Sequence, residues 1–404
     1  MICGLLGRKL GHSYSPQIHA YLAEYSYQLF EKEPEDVEGF LKRGIFAGIN
    51  VTVPYKKDVI PYLDELTDRA KKVGAVNTVV CRNGKLIGHN TDYFGFETMV
   101  KASGLAIAGK KCLVLGSGGA SNTVVAVLKE LDANVVIISR KGENNYSNLH
   151  LHKDAALIVN TTPVGMYPNV GHSAVDLDSF PALEGVLDVI YNPAKTQLLL
   201  DAEKRGIPAI NGLLMLVAQA KEASEWFSNT EIDDEKIEMI HKILRSQMEN
   251  IVLVGMPGCG KSTIGKLVAA KTGKTFVDAD AEIVKKAGMS IPEIFAKSGE
   301  EGFRKIEAEV LMELGKQSSL VIATGGGCVT RQENYDLLHQ NGRIFWIKRE
   351  ISQLPTDGRP LSQANDLNRM YEARKPLYTA FADEEVINDT QPETAAEQIL
   401  EALK

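Results

Sequence analysis

A glycine-rich stretch in the second half of the chain has the spacing of a phosphate-binding loop. Residues 255–262 read GMPGCGKS and fit the pattern Gly-x-x-x-x-Gly-Lys-Ser without a mismatch. Glycines allow backbone N–H groups to surround phosphate oxygens, and the helix that follows such a loop presents its positive end. The lysine of the pattern reaches the β- and γ-phosphates, and the serine hydroxyl binds Mg²⁺. The stretch therefore predicts a site for a nucleoside triphosphate.

An earlier glycine turn has the context of a dinucleotide-binding site. Residues 116–121 read GSGGAS, with a strand predicted before them at 110–116 and a helix (122–131) and a strand (134–139) after them. An NAD site would place Asp or Glu at the end of that second strand to hold the ribose 2′-hydroxyl. The chain has Ser139, Arg140 and Lys141 there. Two cations favour the 2′-phosphate of NADP, and the alternative is a solvated strand end.

Both turns need a strand before them and a helix after them. Short apolar runs alternate with helical patterns along the chain, which predicts an α/β fold. Further strands are predicted at 48–53, 156–160 and 185–190, and helices at 17–25, at 213–227 and up to about 248. A chain of 404 residues exceeds one ordinary domain, so we expect two or three.

Composition narrows the class of protein. Hydrophobic residues make up 44% and charged residues 24%, as in soluble globular proteins. Up to position 250 there are 26 basic and 30 acidic residues, and after it 19 and 22. Neither part has the basic character of a nucleic-acid binder, and no apolar run approaches the roughly 20 residues that span a membrane. Five scattered cysteines and the lack of a signal-peptide pattern predict reduced thiols in a cytoplasmic protein.

The first half of the chain carries a series of short motifs. They are HSYSP (12–16), NVTVPYK (50–56), GAVNT (74–78), NTD (90–92) and NTTPVGM (160–166), followed by Tyr191 and the stretch 212–219. Taken singly, Ser13 and Ser15 could be turn or cap residues, and Lys56 could be a surface lysine. Together with the glycine turn, the series resembles the shikimate dehydrogenase family over nearly the whole first half.

This resemblance implies a substrate site and a catalytic pair. Ser13 and Ser15 would hold the substrate carboxylate, and Lys56 and Asp92 would act at the reacting oxygen. Reduction of a ketone needs a hydride on carbon and a proton on oxygen, and an ammonium–carboxylate pair can stabilise the alkoxide and pass a proton. Which of the two is the formal acid stays open. The resemblance further implies that Thr52, Asn77, Tyr191 and Gln219 line the substrate site and that NADP is bound by Gly116, Ser117, Gly118, Gly119, Ala120, Ser139, Arg140, Lys141, Thr161 and Gly212.

Residues 250–404 resemble the shikimate kinase family. After the phosphate loop come the motifs FVDAD (276–280), GEEGFRKIE (299–307), IATGGG (322–327), RPL (359–361) and RKPLY (374–378). The resemblance implies a Mg²⁺ site with Ser262 and Asp278. It also implies that Lys261, Mg²⁺ and Arg359 neutralise charge on the transferring phosphoryl group.

The same resemblance implies how the kinase substrates are held. Arg304 and Arg374 would clamp the acceptor's carboxylate, because a guanidinium binds carboxylates in a bidentate fashion. Asp280 would bind its hydroxyls and act in catalysis together with Lys261 and Arg359. ATP would be bound by Gly258, Cys259, Gly260, Lys261, Ser262, Thr263 and Arg359, and the acceptor by Asp280, Arg304, Gly326, Gly327 and Arg374.

Several of these residues have local alternatives. Arg304 could form an i,i+3 ion pair with Glu301 or Glu307, and Asp278 and Asp280 could cap the next helix. The stretch 348–357 is shorter than the helix and loop that usually precede the lid arginine, which leaves the closure geometry open. The spacing of two histidines at 150 and 152 resembles that of metal ligands, but we interpret them as loop residues because they lack a companion set of carboxylate or cysteine ligands.

The expected fold is α/β throughout. A two-domain dehydrogenase, with an α/β substrate domain and a Rossmann NADP domain, precedes a P-loop domain of the nucleoside-monophosphate-kinase type with a central parallel sheet. The predicted boundaries are 1–96 (completed by helices in 213–247), 97–212 and 249–404. The expected function is NADPH-dependent reduction of 3-dehydroshikimate to shikimate, followed by phosphorylation of shikimate with ATP and Mg²⁺. The expected partners are these small molecules, with neither nucleic acid nor membrane; monomer and dimer both stay open.

Two other interpretations are kept. The chain could be a nucleotide-sensing or scaffold protein with one degenerate half, although the catalytic set named above is present in both halves. It could also join a quinate/shikimate dehydrogenase that uses NAD to another small-molecule kinase, such as a nucleoside-monophosphate or gluconate kinase. The pair Arg140 and Lys141 argues against NAD.

Overall fold

The computed structural model describes residues 1–11, 13–354 and 367–403. The chain divides into two compact units. The first unit comprises Met1–Met166, His172–Tyr191 and Leu198–Ile243, and the second comprises Tyr167–Gly171, Asn192–Gln197 and Leu244–Lys404. The domain boundaries at 96, 212 and 249 stay a prediction.

A mixed six-stranded sheet begins the first unit. Its strands are β1 (Ile2–Gly7), β2 (Ser26–Glu31), β3 (Gly48–Val51), β4 (Glu65–Leu66), β5 (Thr78–Arg82) and β6 (Lys85–His89), with helices α1 (Ser15–Leu22), α2 (Pro34–Arg43), α3 (Asp68–Val73) and α4 (Asp92–Ser103). The strand order is β2-β1-β3-β5-β6-β4, and β5 runs antiparallel to β3 and β6. The strand predicted at 48–53 is two residues too long, because turns begin at position 53.

A parallel five-stranded sheet follows in the same unit. Its strands are β7 (Lys111–Leu115), β8 (Asn134–Ile138), β9 (Leu157–Asn160), β10 (Gly185–Asp188) and β11 (Ala209–Ile210), with helices α5 (Gly119–Glu130) and α6 (Gln197–Lys204). Their order is β11-β10-β9-β7-β8, and all four pairings are parallel. Helix α5 begins three residues before the predicted start. Glycine has a low helix propensity, which hid this first turn from the sequence analysis.

Helix α7 (Leu213–Ser228) returns to the first sheet, and helix α8 (Glu235–Met248) follows it. Phe227 of α7 packs in a buried cluster with Cys3 of β1 and Val80 of β5. Gly48 of β3 allows this approach, because a Cβ at that position would overlap the Phe227 ring. A helix more than 160 positions from β3 thereby completes the layer around the first sheet.

The second unit is built on another parallel sheet. Its strands are β12 (Asn250–Val254), β13 (Thr275–Asp278), β14 (Leu320–Ala323), β15 (Gly342–Lys348) and β16 (Glu384–Ile387), with helices α9 (Lys261–Thr272), α10 (Ala279–Ala287), α11 (Ile291–Gly315), α12 (Glu333–His339), α13 (Leu367–Phe381) and α14 (Pro392–Ala402). The order is β13-β14-β12-β15-β16, so β12, which precedes the phosphate loop, is central. Trp346 and Tyr378 stack in the core.

These three sheets confirm the predicted α/β class with parallel sheets beneath both glycine turns. The carboxyl ends of parallel strands meet at one edge of a sheet, and ligand sites in α/β proteins are found there. In the described ranges, no helix combines the length and the apolar character needed to cross a membrane.

Candidate active sites

Lys56 and Asp92 form an ion pair in the first unit. Lys56 lies in the turn after β3, and Asp92 is the first residue of α4. Nζ and Oδ2 are 2.6 Å apart, and the two side chains are 19% and 11% exposed. The Val76 N–H donates to the Lys56 carbonyl at 2.8 Å, which fixes the turn, and the helix N-terminus stabilises the carboxylate. The structure therefore brings together the two predicted catalytic side chains.

A hydrogen-bonded group of amide and hydroxyl side chains includes Thr91, the residue directly before Asp92. Asn77 Nδ2 donates to Thr91 Oγ1 at 3.0 Å and to Gln219 Oε1 at 3.4 Å, while Thr91 N–H donates to Asn77 Oδ1 at 2.7 Å. Gln219 belongs to α7, and Gly95 of α4 lets that helix approach. A Cβ on Gly95 would lie 2.6 Å from the Met215 carbonyl oxygen. Thus a glycine that the sequence analysis did not single out helps to place Gln219.

The two predicted carboxylate-binding serines lie at the start of α1. Ser15 N–H donates to Ser13 Oγ at 3.2 Å, and Ser15 is buried. Between them Tyr14 meets Tyr191 edge to face, with ring centroids 6.1 Å apart. Burial raises the pKa of Tyr191, and the nearby Tyr14 adds to that rise. Tyr191 therefore keeps its hydroxyl proton as a donor near neutral pH.

Asn50, which sequence reasoning left without a role, connects these groups. Its Oδ1 accepts from Tyr27 Oη at 2.8 Å, and its Nδ2 donates to Thr78 Oγ1 at 3.2 Å. Tyr27 in turn interacts with Ser15. Thr52, two residues further on, donates its N–H to the Leu6 carbonyl at 2.9 Å. It lies just after the end of β3, whereas the strand predicted over 48–53 would have included it.

The predicted NADP turn lies between β7 and α5. Gly116 has a φ of +107°, and a Cβ there would lie 2.8 Å from Thr161 Oγ1. Ser121 Oγ donates to the Gly116 carbonyl at 2.8 Å, so the serine in place of the usual Gly or Ala closes the turn. The nearest neighbour to a Cβ on Gly119 would be Lys56 Cδ at 3.9 Å. The turn therefore lies beside the Lys56–Asp92 pair, as a shared reaction requires.

The remaining predicted NADP contacts surround this turn. Ser117 lies in it, with Gly118 as the N-cap and Ala120 inside α5, and Gly212 precedes α7 with its N–H on the Ile190 carbonyl at 2.9 Å. Ser139, Arg140 and Lys141 follow β8. Arg140 and Lys141 are both exposed, and neither forms an ion pair with another described residue. These unpaired cations and the open turn fit a phosphorylated dinucleotide.

The phosphate loop in the second unit has the backbone that its glycines predict. Gly255, Gly258 and Gly260 have φ values of +147°, +85° and +103°. Lys261 Nζ donates to the Gly255 and Met256 carbonyls at 2.8 and 3.1 Å. Residues other than glycine rarely adopt such φ values. The loop therefore depends on all three glycines.

Asn388 supports the loop from the end of β16, a contact that sequence reasoning missed. Its Nδ2 donates to the Cys259 carbonyl at 2.7 Å, and Asn388 itself is buried. A Cβ on Gly260 would lie 2.5 Å from that nitrogen. Thr263 follows in the first turn of α9 and lines the same cavity as the loop.

Ser262 and Asp278 meet at the carboxyl edge of the sheet. Ser262 Oγ donates to Asp278 Oδ2 at 2.7 Å. Asp278 Oδ1 accepts from the N–H groups of Asp280 and Ala281, so the capping alternative is confirmed for Asp278. Capping occupies one carboxylate oxygen and leaves the other with the serine. Two oxygens together beside a phosphate loop are the kind of ligand that Mg²⁺ prefers. The residues present thus fit the predicted metal.

Arg304 and Glu307 form a buried ion pair on α11. Nη1 and Oε2 are 2.7 Å apart, and the residues are 4% and 1% exposed. The predicted i,i+3 alternative is therefore confirmed for Glu307 and wrong for Glu301, which pairs with Arg331. Burial raises the pKa of Glu307, Arg304 opposes this rise, and Asp280 adds to it. The sequence analysis had not placed Glu307 in the site.

This pair retains hydrogen-bonding capacity. Within the described residues, Arg304 Nε and Glu307 Oε1 have no hydrogen-bond partner. Buried polar atoms are rarely left unpaired, because the loss of hydration costs about 1–3 kcal/mol each. A polar ligand in the adjoining cavity would satisfy them.

Each glycine of the predicted triple-glycine turn makes room for a different neighbour. A Cβ on Gly325 would lie within 3 Å of Asp280 Oδ1 and Glu307 Oε1. A Cβ on Gly326 would lie 2.7 Å from Pro257 of the phosphate loop, and one on Gly327 would overlap the Arg304 guanidinium. The turn therefore holds the two predicted halves of the site, phosphate loop and arginine, at close range.

Arg374 reaches the same turn from α13. Its Nη1 donates to the Gly326 carbonyl at 3.2 Å, and Tyr378 Oη donates to that carbonyl at 2.5 Å. A cavity of about 680 Å³ is lined by Lys261, Ser262, Asp278, Asp280, Arg304, Gly326, Gly327, Arg349 and Arg374 among others. Arg359 lies outside the described residues, as do residues 355–358 directly before it.

Comparison with known proteins agrees with both parts of this picture. The family model described as shikimate dehydrogenase substrate binding domain matches residues 5–79. Shikimate dehydrogenase (NADP(+)) of Clostridium beijerinckii is 35% identical over 267 residues, which cover 61% of this chain and 98% of the relative. The chain belongs to the shikimate dehydrogenase family. A second shikimate dehydrogenase (NADP(+)), from Clostridium perfringens, is 37% identical, and the match covers 60% of this chain and 97% of the relative.

Solved structures give the same assignment for the dehydrogenase part. Shikimate dehydrogenase 1 from Peptoclostridium difficile has a TM-score of 0.56 and 38% identity, over 60% of this chain and 97% of its own. A chorismate mutase/shikimate 5-dehydrogenase fusion from Clostridium acetobutylicum has a TM-score of 0.58 and 36% identity, over 60% and 96%. The shikimate kinase family model matches residues 257–404. The chain is therefore a fusion of shikimate dehydrogenase and shikimate kinase domains.

Proposed function

We propose that the chain catalyses two consecutive reactions. Its dehydrogenase part reduces 3-dehydroshikimate to shikimate with NADPH, and its kinase part phosphorylates the 3-hydroxyl of shikimate with ATP. The observation that carries this proposal is that each part has its reactive groups in one cluster. Lys56 and Asp92 adjoin the dinucleotide turn, and Asp280 and Arg304 adjoin the phosphate loop.

In the dehydrogenase part, bound NADPH supplies the hydride. Ser13 and Ser15 bind the substrate carboxylate through their hydroxyl groups, which orients the ring. Lys56 Nζ, held by Asp92, is assigned to the ketone oxygen, where it stabilises the negative charge that develops during reduction. A proton then passes to that oxygen from the pair. Asn77 and Gln219, with the other residues assigned to the substrate site, contact the ring hydroxyls or carboxylate.

In the kinase part, the acceptor is held on one side of the phosphate loop. Arg304 and Arg374 bind its carboxylate, with Gly326 and Gly327 beneath, and Asp280 accepts a hydrogen bond from the hydroxyl that attacks. Ser262 and Asp278 would hold Mg²⁺, which when bound neutralises phosphate charge. Lys261 donates to the transferring phosphoryl group. We assign Arg359 to the same charge on sequence alone.

A coupled assay on the full chain tests the proposal. Incubation of 3-dehydroshikimate with NADPH and ATP should yield shikimate 3-phosphate, with shikimate as an intermediate on a time course. Omission of ATP should stop the sequence at shikimate, and omission of NADPH should leave 3-dehydroshikimate untouched. Reduction without any phosphorylated product, or turnover of a nucleoside monophosphate or gluconate instead, would refute the kinase assignment.

Arg140→Ala should erode the preference for NADPH over NADH. We assign the Arg140 guanidinium, which follows β8, to the 2′-phosphate, and loss of such a charge-assisted contact costs about tenfold or more in kcat/KM for NADPH. Activity with NADH, which lacks the 2′-phosphate, should change less than twofold. Lys129→Ala, a lysine on α5 outside the assigned site, serves as the control. An unchanged ratio of the two kcat/KM values in the Arg140 variant would exclude a role in cofactor choice.

A further inference from the structure

One cation of the kinase cavity has no place in the site described so far. Arg349 lines the cavity together with the phosphate loop, and its side chain is half-buried. It directly follows β15, whose Trp346 pairs with Val254 of β12. The Ile347 carbonyl oxygen would lie 2.5 Å from a Cβ on Gly255. Arg349 is therefore anchored beside the start of the phosphate loop.

The charge of Arg349 is not neutralised within the described part of the chain. Its one polar contact there is from Nε to Gln353 Oε1, at 3.4 Å. By contrast, the adjacent Lys348 pairs with Glu385 at 2.9 Å, and Arg304 pairs with Glu307. A partly buried guanidinium without a carboxylate favours binding of an anion from the cavity.

The strand order indicates which anion this is. Asp280 follows β13 and the triple-glycine turn follows β14, and both strands lie on one side of β12. Arg349 follows β15 on the other side of β12. Asp280 and the triple-glycine turn, which are assigned to the acceptor, and Arg349 therefore follow strands on opposite sides of β12, the strand that leads into the phosphate loop. The acceptor's carboxylate already has two arginines.

We propose that Arg349 binds the polyphosphate of the nucleotide, on the side of the loop opposite to the acceptor. Its guanidinium donates to phosphate oxygens and supplements Lys261 and the backbone N–H groups of the loop. The inference rests on the proposed kinase function for its place in catalysis. Its contact with phosphate, however, can be measured by binding alone.

Arg349→Gln in the full chain tests this proposal. Calorimetric titration should show ADP and inorganic tripolyphosphate each binding about tenfold more weakly, since a charge-assisted contact is lost. The KM for ATP should rise by a similar factor, while the KM for shikimate should stay within twofold. Arg349→Lys should recover part of the loss. Lys348→Gln, which removes a cation engaged with Glu385, should bind both probes like the parent.

Three results would overturn the proposal. One is unchanged ADP binding in a folded Arg349→Gln protein, and another is a rise in the KM for shikimate rather than for ATP. The third is weaker binding of ADP with normal binding of tripolyphosphate, which would place the contact at the base. If the parent chain phosphorylates no shikimate, the proposed function fails, yet the two binding titrations still decide the role of Arg349.

Discussion

Lys56→Met should lower kcat for 3-dehydroshikimate reduction by about two to four orders of magnitude, the range for loss of a positioned proton-transfer group. Methionine nearly preserves the length of the side chain and removes its charge. The ammonium group lies 2.6 Å from Asp92 and is largely shielded from solvent, so water replaces it poorly. Phosphorylation of added shikimate should proceed at the parental rate, because Lys56 belongs to the first unit.

A matched control comes from the next residue. Lys57 is exposed in the same turn, and Lys57→Met should reduce 3-dehydroshikimate normally. Asp92→Asn should also slow reduction strongly, since it leaves the ammonium without its carboxylate. Retention of at least a tenth of the parental kcat by Lys56→Met, with normal KM values, would mean that the ammonium group does not act at the reacting oxygen.

The parts of the site that could be predicted from sequence are those fixed by backbone geometry. The backbone requires glycine at Gly260, where φ is +103°, and in the turn at Gly116. Because these glycines recur at a fixed spacing, the pattern can be recognised in the sequence alone. Lys56 follows the end of a strand and Asp92 begins a helix. The ammonium and carboxylate groups of these residue types indicate proton-transfer chemistry. These positions depend on the order of strands, turns and helices along the chain, which the sequence pattern indicates.

The residues that were missed act through tertiary contacts. Gly95 matters because α7 packs against α4, and Asn50 matters because Tyr27 and Thr78 lie on either side of it. Neither fact follows from spacing along the chain. Likewise, strands of two residues such as Glu65–Leu66 carry no periodicity to detect. Sequence therefore located the reactive groups better than the packing that orients them.

The buried ion pair on α11 combines a structural role with a functional one. The same guanidinium forms the ion pair and is assigned to binding of the substrate. Arg304→Met should destabilise the kinase part by about 3–5 kcal/mol, since it leaves the Glu307 carboxylate buried without a counter-charge. It should also abolish measurable saturation by shikimate. Thermal unfolding and the KM for shikimate report these two effects separately, and dehydrogenase activity in the same preparation reports the amount of intact chain.

The double variant Arg304→Met with Glu307→Gln separates support of the fold from binding of the substrate. Removal of both charges from a buried pair is close to neutral for stability, so most of the lost unfolding free energy should return. The KM for shikimate should remain at least about tenfold above the parental value, because a carboxylate of the substrate still lacks its bidentate partner. Parental KM in the double variant would show that Arg304 supports the fold through Glu307 and does not bind the acceptor.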